Sequence, residues 1–368
     1  MERHGLDGLI AGHQNGALRK IIERHRAFLD RAETDRPLFT VRRKLDMRPP
    51  PFLAESVGEG SLVRPEELDT DAFLDWYETF LEEDTQIPDD GLRSAMPYFS
   101  IPWMEAMLGC PVRVHRTTLY AEPFLDSWDE LERVCFSLDN PWLRKLVEFT
   151  QAMVERFGSR FPVCTSLLRG PGDMMASLRG RQALCLALYD RPDDLKSLAA
   201  RCARMWIDVA KAQLEIIPAY AGGYFSRYRI WMPGPTTALH IDFSSLISRD
   251  MFREFLLPCE REIADRFDCP VYHVHASSLH VVDDLLEMEN VAAIQVSVDD
   301  SLPRPRLIQT LARMQRKKPI IVQRLTKSDV EELTEVLSPR GLCLTFLVET
   351  LEDAREALAW ARKRWPGE

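Results

Sequence analysis

Apolar positions recur at helical spacing over residues 9–32, where Leu18, Ile21, Ile22, His25 and Leu29 fall near one face and predict an amphipathic helix. Pro37 follows, then a short apolar run, Leu38-Phe39-Thr40-Val41, that reads as a strand ending in Arg42-Arg43-Lys44. Pro49-Pro50-Pro51 breaks the chain, and a second helix is predicted over 66–83, its stripe of Phe73, Trp76, Tyr77 and Phe80 being packing. Residues 96–99 and 116–121 look extended. Past Pro141 the rhythm becomes regular. A helix over 142–157 leads to a strand over 161–168, the turn Gly170-Pro171-Gly172, a helix to Tyr189 and a long helix over 193–217. Short strands over 223–226 and 237–243 precede a helix over 249–267. Four further strands, over 270–275, 292–296, 319–323 and 342–347, are each followed by a helix, the last over 351–364. Such alternation predicts a parallel sheet joined by crossover helices.

No strand is followed by GxGxxG or GxxxxGK[ST], so an open nucleotide-binding sheet lacks its usual signature. The expectation is an α/β fold, a (β/α)8 TIM-type barrel with an N-terminal helical extension. Residues 1–95 would be that extension plus the first strand, covering the mouth, and 96–368 the remainder of a single barrel domain. In that fold the chemistry sits at the C-terminal edge of the strands.

Composition narrows the classes. Of 368 residues, 45% are hydrophobic and 28% charged, which excludes intrinsic disorder. No apolar run is long enough for a membrane helix, and the opening MERHGLDGLI has no export-signal core, so a cytoplasmic protein is expected. The net charge of -10 argues against nucleic acid as a partner, the basic clusters at 42–44 and 316–318 reading as solvated ends. Eight cysteines without CxxC spacing read as reduced thiols rather than a disulfide framework.

The most suggestive chemistry is Tyr272-His273-Val274-His275. Residues two apart on a strand share a side, so His273 and His275 present two imidazoles at one strand end, fit for a divalent metal or for acid/base work. His280 could point into the same mouth. Asp242, ending another strand, is a candidate catalytic carboxylate or a helix cap, and Asp299-Asp300 are site groups or a solvated pair. Cys343 could add a thiolate ligand, its alternative being core. Arg42 and Arg43 close the first strand, where a guanidinium can grip an anionic substrate. Gly170 lets a ligand approach the backbone, Asp173 suits a helix N-terminus or the site, and Trp231 walls a pocket or fills the core.

The run Leu246-Ile247-Ser248-Arg249-Asp250-Met251-Phe252-Arg253-Glu254-Phe255-Leu256-Leu257-Pro258 resembles a helix of the uroporphyrinogen decarboxylase superfamily, which includes the methylcobamide:coenzyme M methyltransferases. Tyr272-His273-Val274-His275, 188–193, 101–109 and the Gly170-Pro171 turn match in order, so the resemblance extends from about Arg36 to the C-terminus. It implies a barrel with its site in the mouth. Of the two carboxylate-binding arginines in the decarboxylase's opening strand, Arg42 stands for the first and Asp46 falls at the second. The decarboxylase's essential aspartate has no counterpart over 97–102. The methyltransferase branch binds zinc through His-x-Cys and a later Cys; His273-x-His275 keeps that spacing, and Cys343 lies near the later position. The resemblance therefore implies metal-assisted methyl transfer between a corrinoid, free or on a partner protein, and a thiol, with zinc on His273, His275 and Cys343. Two alternatives stay open. One is a metal-free decarboxylase of a porphyrinogen-like or smaller acid; the other is a non-catalytic barrel that binds a corrinoid or a partner. The expected partners are a small-molecule substrate and a corrinoid protein, with no membrane involved.

Overall fold

The computed structural model describes residues 15–44, 57–97, 100–115 and 118–365. The predicted helix start at 9–14, Asp46, Pro49-Pro50-Pro51, Tyr98-Phe99 and Arg116 lie outside the described residues. The strands are β1 (Leu38–Arg43), β2 (Leu62–Val63), β3 (Val112–His115), β4 (Thr118–Ala121), β5 (Leu168–Arg169), β6 (Tyr224–Phe225), β7 (Trp231–Met232), β8 (Ala238–His240), β9 (Val271–His275), β10 (Ala293–Ser297), β11 (Ile320–Leu325) and β12 (Leu342–Val348). Seven form one sheet in the order β1-β12-β11-β10-β9-β8-β5, every pairing parallel. Val271, Val274, Ile294, Val296, Ile320 and Val322 are wholly buried, as strands covered on both faces are. Helices Lys327–Thr334 and Leu351–Arg364 start directly after strand ends because Thr326 with Asp329, and Thr350 with Asp353, form capping boxes.

The fold is α/β and compatible with a TIM-type barrel, but no ladder joins the edge strands β1 and β5 among the described residues. The expected closed ring of eight strands is therefore not confirmed: among the described residues the ladder holds seven strands and is open between β1 and β5. In that gap Asp90 Oδ2 accepts from Phe39 N and Asp89 Oδ2 from Val41 N, both at 2.8 Å. Carboxylates so satisfy amides of β1 that a neighbouring strand would otherwise take. On the other side the backbone pairing is a parallel bridge between Ala95 and Val163, supported by the Ser166 hydroxyl donating to Pro97 O at 3.2 Å.

Other expectations are corrected locally. The strand over 161–168 shrinks to Leu168–Arg169 plus that bridge. Residues 118–121 join a separate antiparallel sheet, β2-β3-β4, and 224–225 a hairpin with β7. Gly180, at φ +89°, splits the helix before Tyr189 into Pro171–Arg179 and Arg181–Asp190. The helix over 249–267 carries a π-turn at Phe252–Leu256, just ahead of Pro258, which has no N–H to continue the regular ladder.

The helix Asn15–Leu29 does not cover the mouth. Its Phe28 packs with Leu38, Ala238, Val271, Ala293, Ile321 and Cys343, all at the starts of their strands, so it closes the opposite, N-terminal edge. His25 on that helix is wholly buried, its Nε2–H donating to Asp90 O (2.7 Å) and its Nδ1 accepting from Trp231 N (2.9 Å). The helix Thr70–Asp84 does reach the C-terminal side, where Tyr77 and Phe80 line a cavity with Arg42. Among the described residues no helix is long and apolar enough to cross a membrane.

Candidate active site at the strand ends

The parallel register sets His240 of β8 opposite His273 of β9, and His273 opposite Gln295 of β10. Three polar residues therefore line up across three adjacent strands. The His240 and His273 rings lie 4.3 Å apart between centroids. β8 ends at His240, short of the expected 243, and Asp242 opens the 3-10 turn Asp242–Leu246, which still brings its carboxylate beside His240 and His273. His275 shares the His273 side of β9.

His273 Nδ1 abuts Gln295 Oε1. A carbonyl oxygen only accepts, so Nδ1 carries the hydrogen and Nε2 keeps its lone pair, 3.6 Å from Asp242 Oδ1. His275 repeats the arrangement. Its Nδ1 lies 3.3 Å from Asp299 Oδ2 and its Nε2 4.0 Å from Asp242 Oδ1. Asp242 Oδ1 itself has no hydrogen-bond partner. Burial pushes His273 down to about 4, and burial with the nearby His273 and Arg227 holds His240 well below the usual imidazole range. Both are neutral at pH 7, the form that ligates metals. His240, Asp242 and His273 each offer one donor atom within 4.8 Å of the others. Two neutral nitrogens and an unsatisfied carboxylate oxygen fit a divalent cation such as zinc.

Support lies behind them. Asp173, in the first turn of helix Pro171–Arg179, accepts at Oδ2 from Asp242 N (3.0 Å). Burial and then the Asp242 charge raise its carboxyl well above the ordinary range. Asp299 resists a burial effect that would raise it: bonds from Ser301 and His275 hold it below the ordinary value. Gly170 N donates to His240 O at 2.9 Å, and a Cβ on Gly170 would sit 2.4 Å from that oxygen. Glycine is needed there because the strand carrying His240 approaches it.

A cavity of about 170 Å³ opens on these groups, lined by Arg42, Arg227, Tyr228, His240, Asp242, His273, His275 and Arg324. Arg227 and Tyr228 sit at the tip of the hairpin between β6 and β7, and an Arg227 Nη1 hydrogen bonds to His240 Nε2 at 2.9 Å. Arg324 occupies a bulge in β11 at φ +68°, a left-handed backbone rare for a side chain of this size.

Of the predicted site residues, the structure brings together His273, His275, Asp242 and Arg42. Asp173 and Gly170 lie behind them, Gly170 facing the His240 carbonyl rather than a ligand. Asp299 belongs with His275. Three others lie elsewhere. His280 donates from Nε2 to Ile247 O (2.9 Å) and lines a different cavity. Trp231 is core: its backbone holds His25, and Arg26 lies over its ring at 4.7 Å. Cys343 pairs with Leu38 at the far edge of the sheet, its Sγ 3.7 Å from Thr40 Oγ1, and burial pushes its thiol up to about 12. His240, Arg227, Gln295 and Arg324 were not anticipated. His240 could have been, since His240-Ile241-Asp242 has the same two-residue spacing as His273-Val274-His275. Arg227 reaches the site through hairpin packing, which no local pattern signals.

Fold and site together define an α/β protein with a histidine–carboxylate cluster at the C-terminal ends of parallel strands. A methyltransferase from Methanosarcina mazei has a similar structure, with a TM-score of 0.62 at 15% identity, covering 94% of this chain and 99% of that one. At that identity the likeness speaks for the fold. No family model matches the chain, and no curated protein matches its sequence.

Proposed function

We propose that the chain is a cytoplasmic methyltransferase of TIM-barrel type that uses zinc to move a methyl group from a corrinoid, free or carried by a partner protein, to a small thiol. The observation that carries this is the cluster of two neutral imidazoles and the unpartnered Asp242 oxygen at adjacent strand ends. The likeness to a methyltransferase supports the same frame. At about 170 Å³ the cavity is below the roughly 300–1,000 Å³ of drug-sized sites, so it would admit a small thiol but not a corrin ring.

His273 Nε2 and Asp242 Oδ1 are the atoms to hold the ion, with His240 as third donor. Bound there, zinc supplies the positive charge that keeps a thiol deprotonated near neutral pH. Gln295 fixes the His273 ring and tautomer, as outer partners of metal-binding histidines do. His275 Nε2, opposite an Nδ1 held by Asp299, is placed to take the thiol proton. A methylated corrinoid as donor would supply the methyl group: the S–CH3 bond would form as the cobalt–carbon bond breaks, with that bond's electron pair left on the departing corrinoid. The zinc content of protein purified without chelators tests the reading. About one zinc per chain, lost in His273→Gln and Asp242→Asn, supports it. Substoichiometric zinc that neither substitution changes refutes it.

A further inference from the structure

The Arg227 hydrogen bond to His240 has a consequence for both metal and substrate. A guanidinium only donates, so the lone pair of His240 Nε2 is engaged by Arg227 at 2.9 Å. While that bond stands, His240 cannot offer this nitrogen to an ion, and the donor set is reduced to His273 and Asp242. Arg227 also lines the site cavity, together with Arg324 and Tyr228. The Tyr228 hydroxyl is buried with no hydrogen-bond partner, the residue being only 4% exposed. Arg324 is brought to the same cavity by its left-handed backbone at the β11 bulge, a sparsely populated conformation of the kind that clusters at ligand sites. The Arg227 guanidinium and an unsatisfied hydroxyl around one space, with the exposed Arg324 also lining it, make a receptor for a small anionic group.

We propose that Arg227 exchanges partners when substrate binds. It leaves His240 Nε2 for the carboxylate or phosphate of an anionic substrate, and the freed His240 completes the metal's donor set. Anion and metal then bind cooperatively, with Arg227 as a positioning residue between them. This deepens the zinc-methyltransferase reading and rests on it: the thiol substrate carries an anionic group that Arg227, Arg324 and Tyr228 hold. Binding linkage is reciprocal, so the anion tightens zinc by the same factor that zinc tightens the anion.

Zinc affinity of the full chain, measured by competition with a chelating indicator, tests this with propionate and inorganic phosphate as probes at matched ionic strength in chloride. A propionate effect with none from phosphate points to a carboxylate-bearing substrate, and the reverse to a phosphate. In the wild type the effective anion should tighten zinc about tenfold, within the usual range of such couplings. Arg227→Met should bind zinc about tenfold more tightly without anion and lose the anion effect. Arg227→Lys, which keeps the charge, guards against a folding failure and should retain part of it. His240→Gln should bind zinc more weakly and likewise show no anion effect. A metal-free readout is the ¹⁵N spectrum of the imidazoles, where His240 should carry its hydrogen on Nδ1 and its Nε2 signal should move in Arg227→Met. Zinc binding and anion dependence both unchanged in Arg227→Met overturn the exchange while leaving the metal site intact. Zinc binding by none of the proteins overturns the metal reading itself.

Discussion

His25 gives the sharpest test of how the barrel-like body is closed at its lower edge. The imidazole is wholly buried, gives its Nε2–H to Asp90 O and takes the Trp231 amide on Nδ1, so both nitrogens are satisfied only in the neutral ring. Protonating Nδ1 would set one N–H against another. Burial accordingly lowers its pKa from 6.5 to about 4. For a base lowered on folding, the stabilisation is complete above the unfolded value and is lost as pH falls below 6.5 toward 4. Between pH 7.5 and 5.0 this one residue should remove about 2 kcal/mol of stability. His25→Gln keeps a donor and an acceptor but cannot titrate. Urea unfolding of both proteins at the two pH values isolates the effect from the other buried histidines. The wild type should lose about 2 kcal/mol more than the variant on acidification. Equal losses would refute the proposed bonding of the ring.

Three further outcomes follow from the geometry. Glu260 is buried with neither carboxyl oxygen hydrogen-bonded, and burial lifts it to about 8. A raised acid opposes folding as pH rises above its unfolded value near 4.5, so Glu260→Gln should raise urea-unfolding stability by about 3 kcal/mol at pH 7 and by little at pH 4.5. Gly170→Ala places a Cβ 2.4 Å from His240 O; it should cost about 1–3 kcal/mol in the same assay and weaken zinc binding by shifting His240 and Asp242. Gln295→Leu removes the acceptor that orients His273, and zinc affinity by chelator competition should fall about 10–100-fold.

The α/β class and the late strands were legible because their signal is local. Runs such as Ile320-Ile321-Val322 and the TKSD and TLED caps fix strands and helix starts with few neighbours involved. The gap between β1 and β5 was not legible, since it depends on Asp89 and Asp90 reaching amides some fifty residues earlier. Nor was the seat of the first helix: its apolar face is plain, but which edge it closes is decided by Trp231 and Asp90. In the site, spacing alone picked out His273 and His275, and the end of the first strand picked out Arg42, which the resemblance singled out again. Cys343 illustrates the limit. It lies on a site-bearing strand, yet its position at the start of β12 carries it to the opposite edge, against Thr40. Arg227 and Arg324 depend on a hairpin tip and a bulge, features set by tertiary packing.

The most direct measurement is the thiol-dependent demethylation of methylcobalamin by zinc-loaded protein, compared with its Asp242→Asn and His273→Gln variants. Wild-type protein should turn over with a small anionic thiol, and each variant should fall by about 100-fold or more while melting as the wild type does. Absence of thiol-dependent turnover by fully zinc-loaded wild-type protein, or variants as active as the parent, would contradict the account.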